Sequence, residues 1–204
     1  MKRLIFLLLL LMFSCKKNEN NPNTKLNISL IDEDLYLRYE VLNQLIDKDS
    51  ISLDENNNVL ITPLQAVYLF EKENDESRPL GVHLKYDSVF SIKDSAYYKS
   101  QEKITLNFKL DTAKIRKTLQ YVSDEDLSKL TENREKDFWT AFRSKFGHQC
   151  IRKFSVPFFN KEKTLCIVQN SVSCGYLNGS GYTAIYKKIK GKWVEVKIVE
   201  QWIS

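Results

Sequence analysis

The chain has 204 residues, with 31 Lys and Arg against 26 Asp and Glu and a formal charge of +5. That length suits one domain with a substantial core. Basic and acidic residues are interleaved, which excludes the basic stripe of a nucleic-acid binder. Four cysteines and two histidines show no familiar metal-ligand spacing, and no cofactor is expected.

The chain opens Met1-Lys2-Arg3, then runs apolar from Leu4 to Phe13 and stops at Ser14-Cys15-Lys16-Lys17. Two cations before an apolar run form the first two regions of an export signal. The run is too short to cross a bilayer, which takes roughly 20 residues. A small residue directly before a cysteine resembles a bacterial lipoprotein signal, in which Cys15 becomes the acylated first residue of the mature protein. The bulky Phe13 departs slightly from that pattern. Residues 1–14 therefore read as the signal peptide, and removing 14 of 204 residues leaves 190. Residues 15–27 read as the lipidated cysteine and a flexible polar tether interrupted by Pro22. Residues 28–204 read as a single α+β domain. Lysines rather than acids follow Cys15, so the expected location is the cell envelope, lipid-anchored, at the outer membrane facing the periplasm.

Asp32 to Asp47 has helical spacing through Leu35, Tyr39, Leu42 and Leu45 or Ile46. A turn is expected over residues 54–58, a strand over Val59–Thr62, and a helix or strand over Leu64–Phe70. Glu71 to Pro79 reads as a charged surface loop. Val82, Leu84 and Tyr86 alternate as a short strand, Lys93–Gln101 reads as a short helix, and Leu106, Phe108 and Leu110 suggest another strand. Ser123-Asp124-Glu125-Asp126 fits a capping box opening a helix to about Leu130. Glu135 to Phe146 carries Phe138, Phe142 and Phe146 four residues apart, with Gly147 as its stop. That stripe is expected in the core.

The last fifty-odd residues read as four antiparallel strands. In the first, Phe154, Val156 and Phe158 share a face; in the second, Cys166, Val168 and Val172 do. A short loop around Lys161-Glu162-Lys163 sets Val156 opposite Val168 and Phe158 opposite Cys166. The same register sets Cys150 opposite Cys174, at roughly the 4.5–5.5 Å of strand partners and within disulfide reach. Cys166 is too far along either strand to join them. Lys190-Gly191 marks a two-residue hairpin that sets Ile185 opposite Val196 and Lys187 opposite Val194. Val194, Val196 and Ile198 then line a buried face. The expected fold is α+β, a C-terminal four-stranded antiparallel meander covered on one face by helices from the N-terminal half.

Phe154-Ser155, Phe159-Asn160-Lys161-Glu162-Lys163-Thr164, Cys174-Gly175-Tyr176-Leu177, Gly181-Tyr182, Gly191-Lys192-Trp193 and Trp202-Ile203-Ser204 resemble the ending of a group of uncharacterised bacterial lipoproteins of the Bacteroidota type. That group often shows Cys-Gly-x-Leu-Cys-Gly-x-Gly in its central loop, whereas Asn178 stands here for the second cysteine. The resemblance covers the last quarter to third of the chain. It implies an extracytoplasmic location and no known activity.

Catalytic arrangements are sparse. The loop from Cys174 to Gly181 leads into a strand, not a helix, so it is no phosphate cradle, and Ser180 lacks the frame of a nucleophile elbow. Its glycines are expected to need positive φ. Asp124, Glu125 and Asp126 sit at a helix start, where they suit the dipole, and His83 is solitary. Two functional classes remain. One is a binding or structural module, inhibitor or immunity-type included, with exposed aromatics such as Tyr182, Tyr186 and Trp193 and an unknown protein or small-molecule partner. The alternative is an envelope hydrolase or thiol-dependent enzyme using His148 with Cys150 or Cys174.

Overall fold

The structure is a computed structural model that describes residues 22–48, 58–62, 66–70, 81–132 and 136–204. The expected signal peptide, Cys15, the start of the tether, the turn over 54–57 and the loop over 71–79 lie outside the described residues, as does the side chain of His83. The chain divides into two compact units, Met1–Leu35 and Tyr36–Ser204. Helix α1 spans Pro22–Lys48. It starts ten residues before the expected helix and includes residues expected in the tether. Pro22 does not break it, because a proline in the first helical turn has no intrahelical N–H bond to lose. Among the described residues, no helix is long and apolar enough to cross a membrane.

The second unit is α+β. Its main sheet runs in the order β4-β1-β5-β7-β8-β9. The strands are β1 (Asn58–Thr62), β4 (Gln120–Ser123), β5 (Cys150–Phe154), β7 (Leu165–Gly175), β8 (Asn178–Ile189) and β9 (Lys192–Ile203), with β6 (Phe158–Phe159) paired to β7. β5 with β6, then β7, β8 and β9 make the four-stranded antiparallel meander. β1 adds a parallel strand beside β5, and β4 another beside β1. Strands β2 (Ala66–Phe70) and β3 (Gly81–Lys85) form a separate parallel pair. The expected strand over Leu106–Leu110 is absent. Helix α2 (Ser95–Leu106) runs to Leu106, and Phe108 packs from a loop against Tyr39, ring centroids 5.9 Å apart. Three alternating residues are too few to tell a strand from a helix end followed by a loop. Strand β4 has no counterpart among the expected elements.

The capping box forms as expected at α3 (Asp124–Glu132). The Asp126 N–H donates to Ser123 Oγ at 3.1 Å, and the Ser123 N–H donates back to Asp126 Oδ2 at 3.4 Å. Helix α4 (Phe138–Phe146) is capped by Asp137 and stopped by Gly147 at φ 79°. Its aromatic stripe is core: Trp139 and Phe142 pack on Val122 and Ile151, with Phe138 and Phe146 beside them.

The expected register holds along β5, where Arg152 faces Val172 and Phe154 faces Asn170. It fails beyond Pro157, where Phe158 faces Ile167 and Phe159 faces Cys166. Pro157 cannot donate to a ladder, and Ser155 takes over locally. Its N–H donates to the Gln169 carbonyl and its Oγ accepts the Gln169 N–H, both at 2.8 Å. The irregular step slips the register by one residue and puts Phe154 and Phe158 on opposite faces. Phe158 joins Phe90, Tyr98 and Ile167 in one cluster. Phe159 packs instead on Trp193, with the Arg38 guanidinium over its ring.

Three side-chain amides hold these layers together by standing in for backbone. Gln101 of α2 donates to the Phe159 carbonyl at 2.7 Å and accepts the Phe159 N–H at 3.0 Å. Gln44 of α1 brackets Trp193 in the same way, accepting its N–H and donating to its carbonyl. Asn43 donates to the Lys114 carbonyl and accepts the Arg116 N–H. Each amide offers a donor and an acceptor in one plane; Gln44 and Gln101 satisfy both groups of one residue, and Asn43 satisfies one group each of two residues flanking Ile115.

Candidate functional site

Cys150 and Cys174 are joined, with Cα atoms 4.3 Å apart, where the register placed them. The bond closes the open end of the β5–β7 hairpin and stabilises it by about 3 kcal/mol on the loop-entropy account. It also removes both thiols from chemistry. His148 is exposed at this end, two residues from a sulfur that is already bonded. Cys166 is the remaining thiol among the described residues; it is fully buried, and burial first, then the Glu40 charge, pushes its pKa well up. A thiolate nucleophile needs the opposite. Among the described residues, no three His, Cys, Asp or Glu side chains gather as a metal site would require.

A buried polar strip crosses the middle of the sheet. Arg152 donates to Asn170 Oδ1 at 3.4 Å, and burial lowers its pKa. Tyr182 faces Asn170 across β7–β8. Tyr186 is buried, and burial, followed by its hydrogen bond to Tyr182, raises its pKa far above the ordinary range. Such a strip holds neighbouring strands in register without offering a group poised for proton transfer near neutrality.

The tip of the β7–β8 hairpin is Tyr176-Leu177, since Gly175 faces Asn178. The expectation of positive φ at Gly175, Gly179 and Gly181 does not hold. Among the described residues, glycines with positive φ are Gly147 and Gly191. Gly181 serves another need, because a Cβ there would come within 2.6 Å of the Trp202 ring. Tyr176 is docked by hydrogen bonding to Asp137, whose carboxyl is held at about 2, first by Thr140 and then by Tyr176.

Strands β8 and β9 overturn two expectations. Trp193 and Tyr186 are buried, not exposed, and Tyr182 is half-buried. Val194, Val196 and Ile198, expected inside, are 39, 49 and 47% exposed. Lys190-Gly191 forms the expected turn, both residues at positive φ, and Lys187 faces Val194 as expected. However, irregular steps in the β8–β9 ladder leave Val196 and Val199 without a partner, so Ile185 faces Lys197 instead of Val196. Trp193 takes the covered side because Gln44 and Lys48 of α1 bind its backbone. Beyond it, Val199, Trp202 and Ile203 are exposed with the rest. One signal for this was in the sequence. Adjacent apolar pairs at Ile198-Val199 and Trp202-Ile203 put apolar side chains on both faces of one strand, and an outer strand cannot bury both.

No family model, curated protein or solved structure matches the chain. Its function must be read from its own geometry, which unites Cys150 with Cys174 and sets His148 in solvent. That geometry adds one feature that sequence reasoning missed, six exposed apolar residues spread over both faces of β9.

Proposed function

We propose that this is a lipid-anchored protein of a bacterial cell envelope, tethered through Cys15 at the outer membrane facing the periplasm, and that it acts as a binding module. An inhibitor or immunity-type role is included in that reading. The support for the anchor is the cation-apolar-Ser14-Cys15 opening, together with the resemblance of the chain's ending to bacterial lipoproteins.

The observation that carries the binding role is the exposed apolar content of the outer strand β9. Six exposed apolar residues fall within the ten positions from Val194 to Ile203 of one outer strand, and exposed apolar surface in that concentration marks interaction sites. The irregular steps at Val196 and Val199, with Lys197 and Glu200 between and beyond them, keep the edge from pairing indiscriminately with other strands. A surface that is apolar and yet protected in this way suits a specific protein partner.

The test is site-specific photo-crosslinking in cells. A crosslinker at Val196 gives one discrete adduct that the same group at Lys103 does not give, and palmitate labelling disappears in Cys15→Ser. Identical adduct patterns from the two positions, or labelling that survives loss of Cys15, overturn the proposal.

A further inference from the structure

Two turns lie side by side at one end of the sheet. Leu165 faces Lys187, and the Lys188 N–H donates to the Thr164 carbonyl at 2.9 Å. The β6–β7 turn brings Lys161 and Lys163 to this end with Glu162 between them, and the β8–β9 turn brings Lys187, Lys188, Lys190 and Lys192. Lys161 pairs with Asp94 at 2.9 Å and Lys188 with Glu40 at 2.8 Å. Lys187, Lys190 and Lys192 are exposed, and no acidic residue occurs between positions 187 and 192. Exposed isoleucines accompany them: Ile189 stands 42% exposed within the basic run, and Ile92, two residues from the Asp94 partner of Lys161, is 58% exposed.

We propose that this end of the sheet seats on an anionic lipid surface. The cations here are all lysines. Lysine is a compact point charge on a flexible stem, suited to a diffuse layer of headgroups, whereas a carboxylate on a folded partner is met best by the planar fork of arginine. Lysine stems lie along apolar surface while their ammonium groups reach outward, so Ile92 and Ile189 can enter the interface between headgroups as the lysines meet phosphates. Charged segments of this kind gain attraction for each lysine near the surface, and the attraction fades within a Debye length. The inference does not need the acyl anchor, since it concerns the folded domain's own surface.

The test uses the full chain carrying Cys15→Ser, so that no acyl group contributes. Its binding to vesicles of phosphatidylcholine with phosphatidylglycerol is compared with its binding to phosphatidylcholine alone. Lys187→Gln, Lys190→Gln and Lys192→Gln together lower affinity for the anionic vesicles roughly a hundredfold, given the expected attraction per lysine. The matched control of Lys103→Gln, Lys109→Gln and Lys136→Gln, which removes the same charge elsewhere, changes it by less than about threefold, because charges beyond a Debye length are screened. All six residues are exposed, and circular dichroism confirms that both variants fold. Equal losses in the two triple variants, or equal binding of the parent chain to both vesicle types, overturn the proposal. The lysines then face solvent or an acidic polypeptide.

Discussion

Strands β7 and β9 belong to one sheet, flank the same neighbour β8, and run 11 and 12 residues. Both are rich in apolar residues. Yet Cys166, Ile167 and Val168 of β7 are wholly buried, while β9 is exposed from Val194 onward. What separates them is cover. β7 has a strand on each side, and the Phe90–Tyr98–Phe158 cluster packs against Ile167. β9 has a strand on one side, and helix α1 bonds to it at Trp193. Hydrophobic composition makes a strand buriable; the neighbours decide whether it is buried.

Trp193 is where the two regimes meet, and its removal gives the largest expected effect. The side chain is fully buried, stands 5.7 Å from the Phe159 ring, and has the Lys188 ammonium over its own ring. Trp193→Ala costs about 3–5 kcal/mol, as large-to-small changes at such sites do. Val196→Thr, three residues along the same strand, changes stability by less than about 0.5 kcal/mol, as exposed substitutions do. Urea denaturation of the two variants measures the difference. Similar losses at both positions would mean that the outer strand is covered after all.

The same contrast explains which parts of the fold were legible in the sequence. The Cys150–Cys174 pairing, the capping box at Ser123 and the aromatic stripe of α4 follow from short-range spacing, and each is present. The Lys190-Gly191 turn follows from local chemistry in the same way. What failed were statements about direction. Once past Pro157, Phe158 and Phe159 could each have faced Cys166, and the ladder's slip chose the second. In β9 the alternating set from Val194 looks buriable, yet Trp193 alone is buried, where Gln44, some 149 positions away in sequence, binds its backbone. The amide brackets of Asn43, Gln44 and Gln101 have no periodic signature at all. A glutamine that completes a distant residue's hydrogen bonding reads, in the chain, like any other polar helix residue.

Gly181 permits a sharper comparison, because here a β9 residue does have cover of a kind. The Trp202 ring lies against the bare Cα of Gly181, and the nearest atom of Ser171 would also be only 2.9 Å from an added Cβ. Gly181→Ala displaces the Trp202 ring and costs about 1–3 kcal/mol, the range for overpacking. In a Trp202→Ala background the same substitution costs less, since the ring it would strike is gone and only the Ser171 contact remains; neighbours in contact are where additivity fails. A double-mutant cycle by thermal denaturation reads the coupling. Additive effects would show that Trp202 does not rest on Gly181 in solution.

The smallest expected effect concerns the other hairpin tip, which, unlike β9, is tied down. Asp137 accepts from Thr140 at 2.9 Å through the backbone and at 2.6 Å through the hydroxyl, and it also holds Tyr176. These bonds favour the carboxylate, so its pKa falls from 3.8 to about 2 in the folded chain. The unfolded chain therefore binds the proton first as pH drops. The stabilisation from Asp137 is complete above the unfolded value, declines between about 4 and 2, and is gone below that window. Asp137→Asn flattens this part of the stability–pH curve and frees the Tyr176 hydroxyl, whose pKa, now raised chiefly by its bond to Asp137, returns toward that of a free phenol. Both changes are measurable, the first by denaturation at acid pH and the second by the ultraviolet titration of tyrosinate. If Asp137→Asn leaves the phenol titration untouched, the tip is as free as the outer strand, and the two ends of β8 differ only in their lysines.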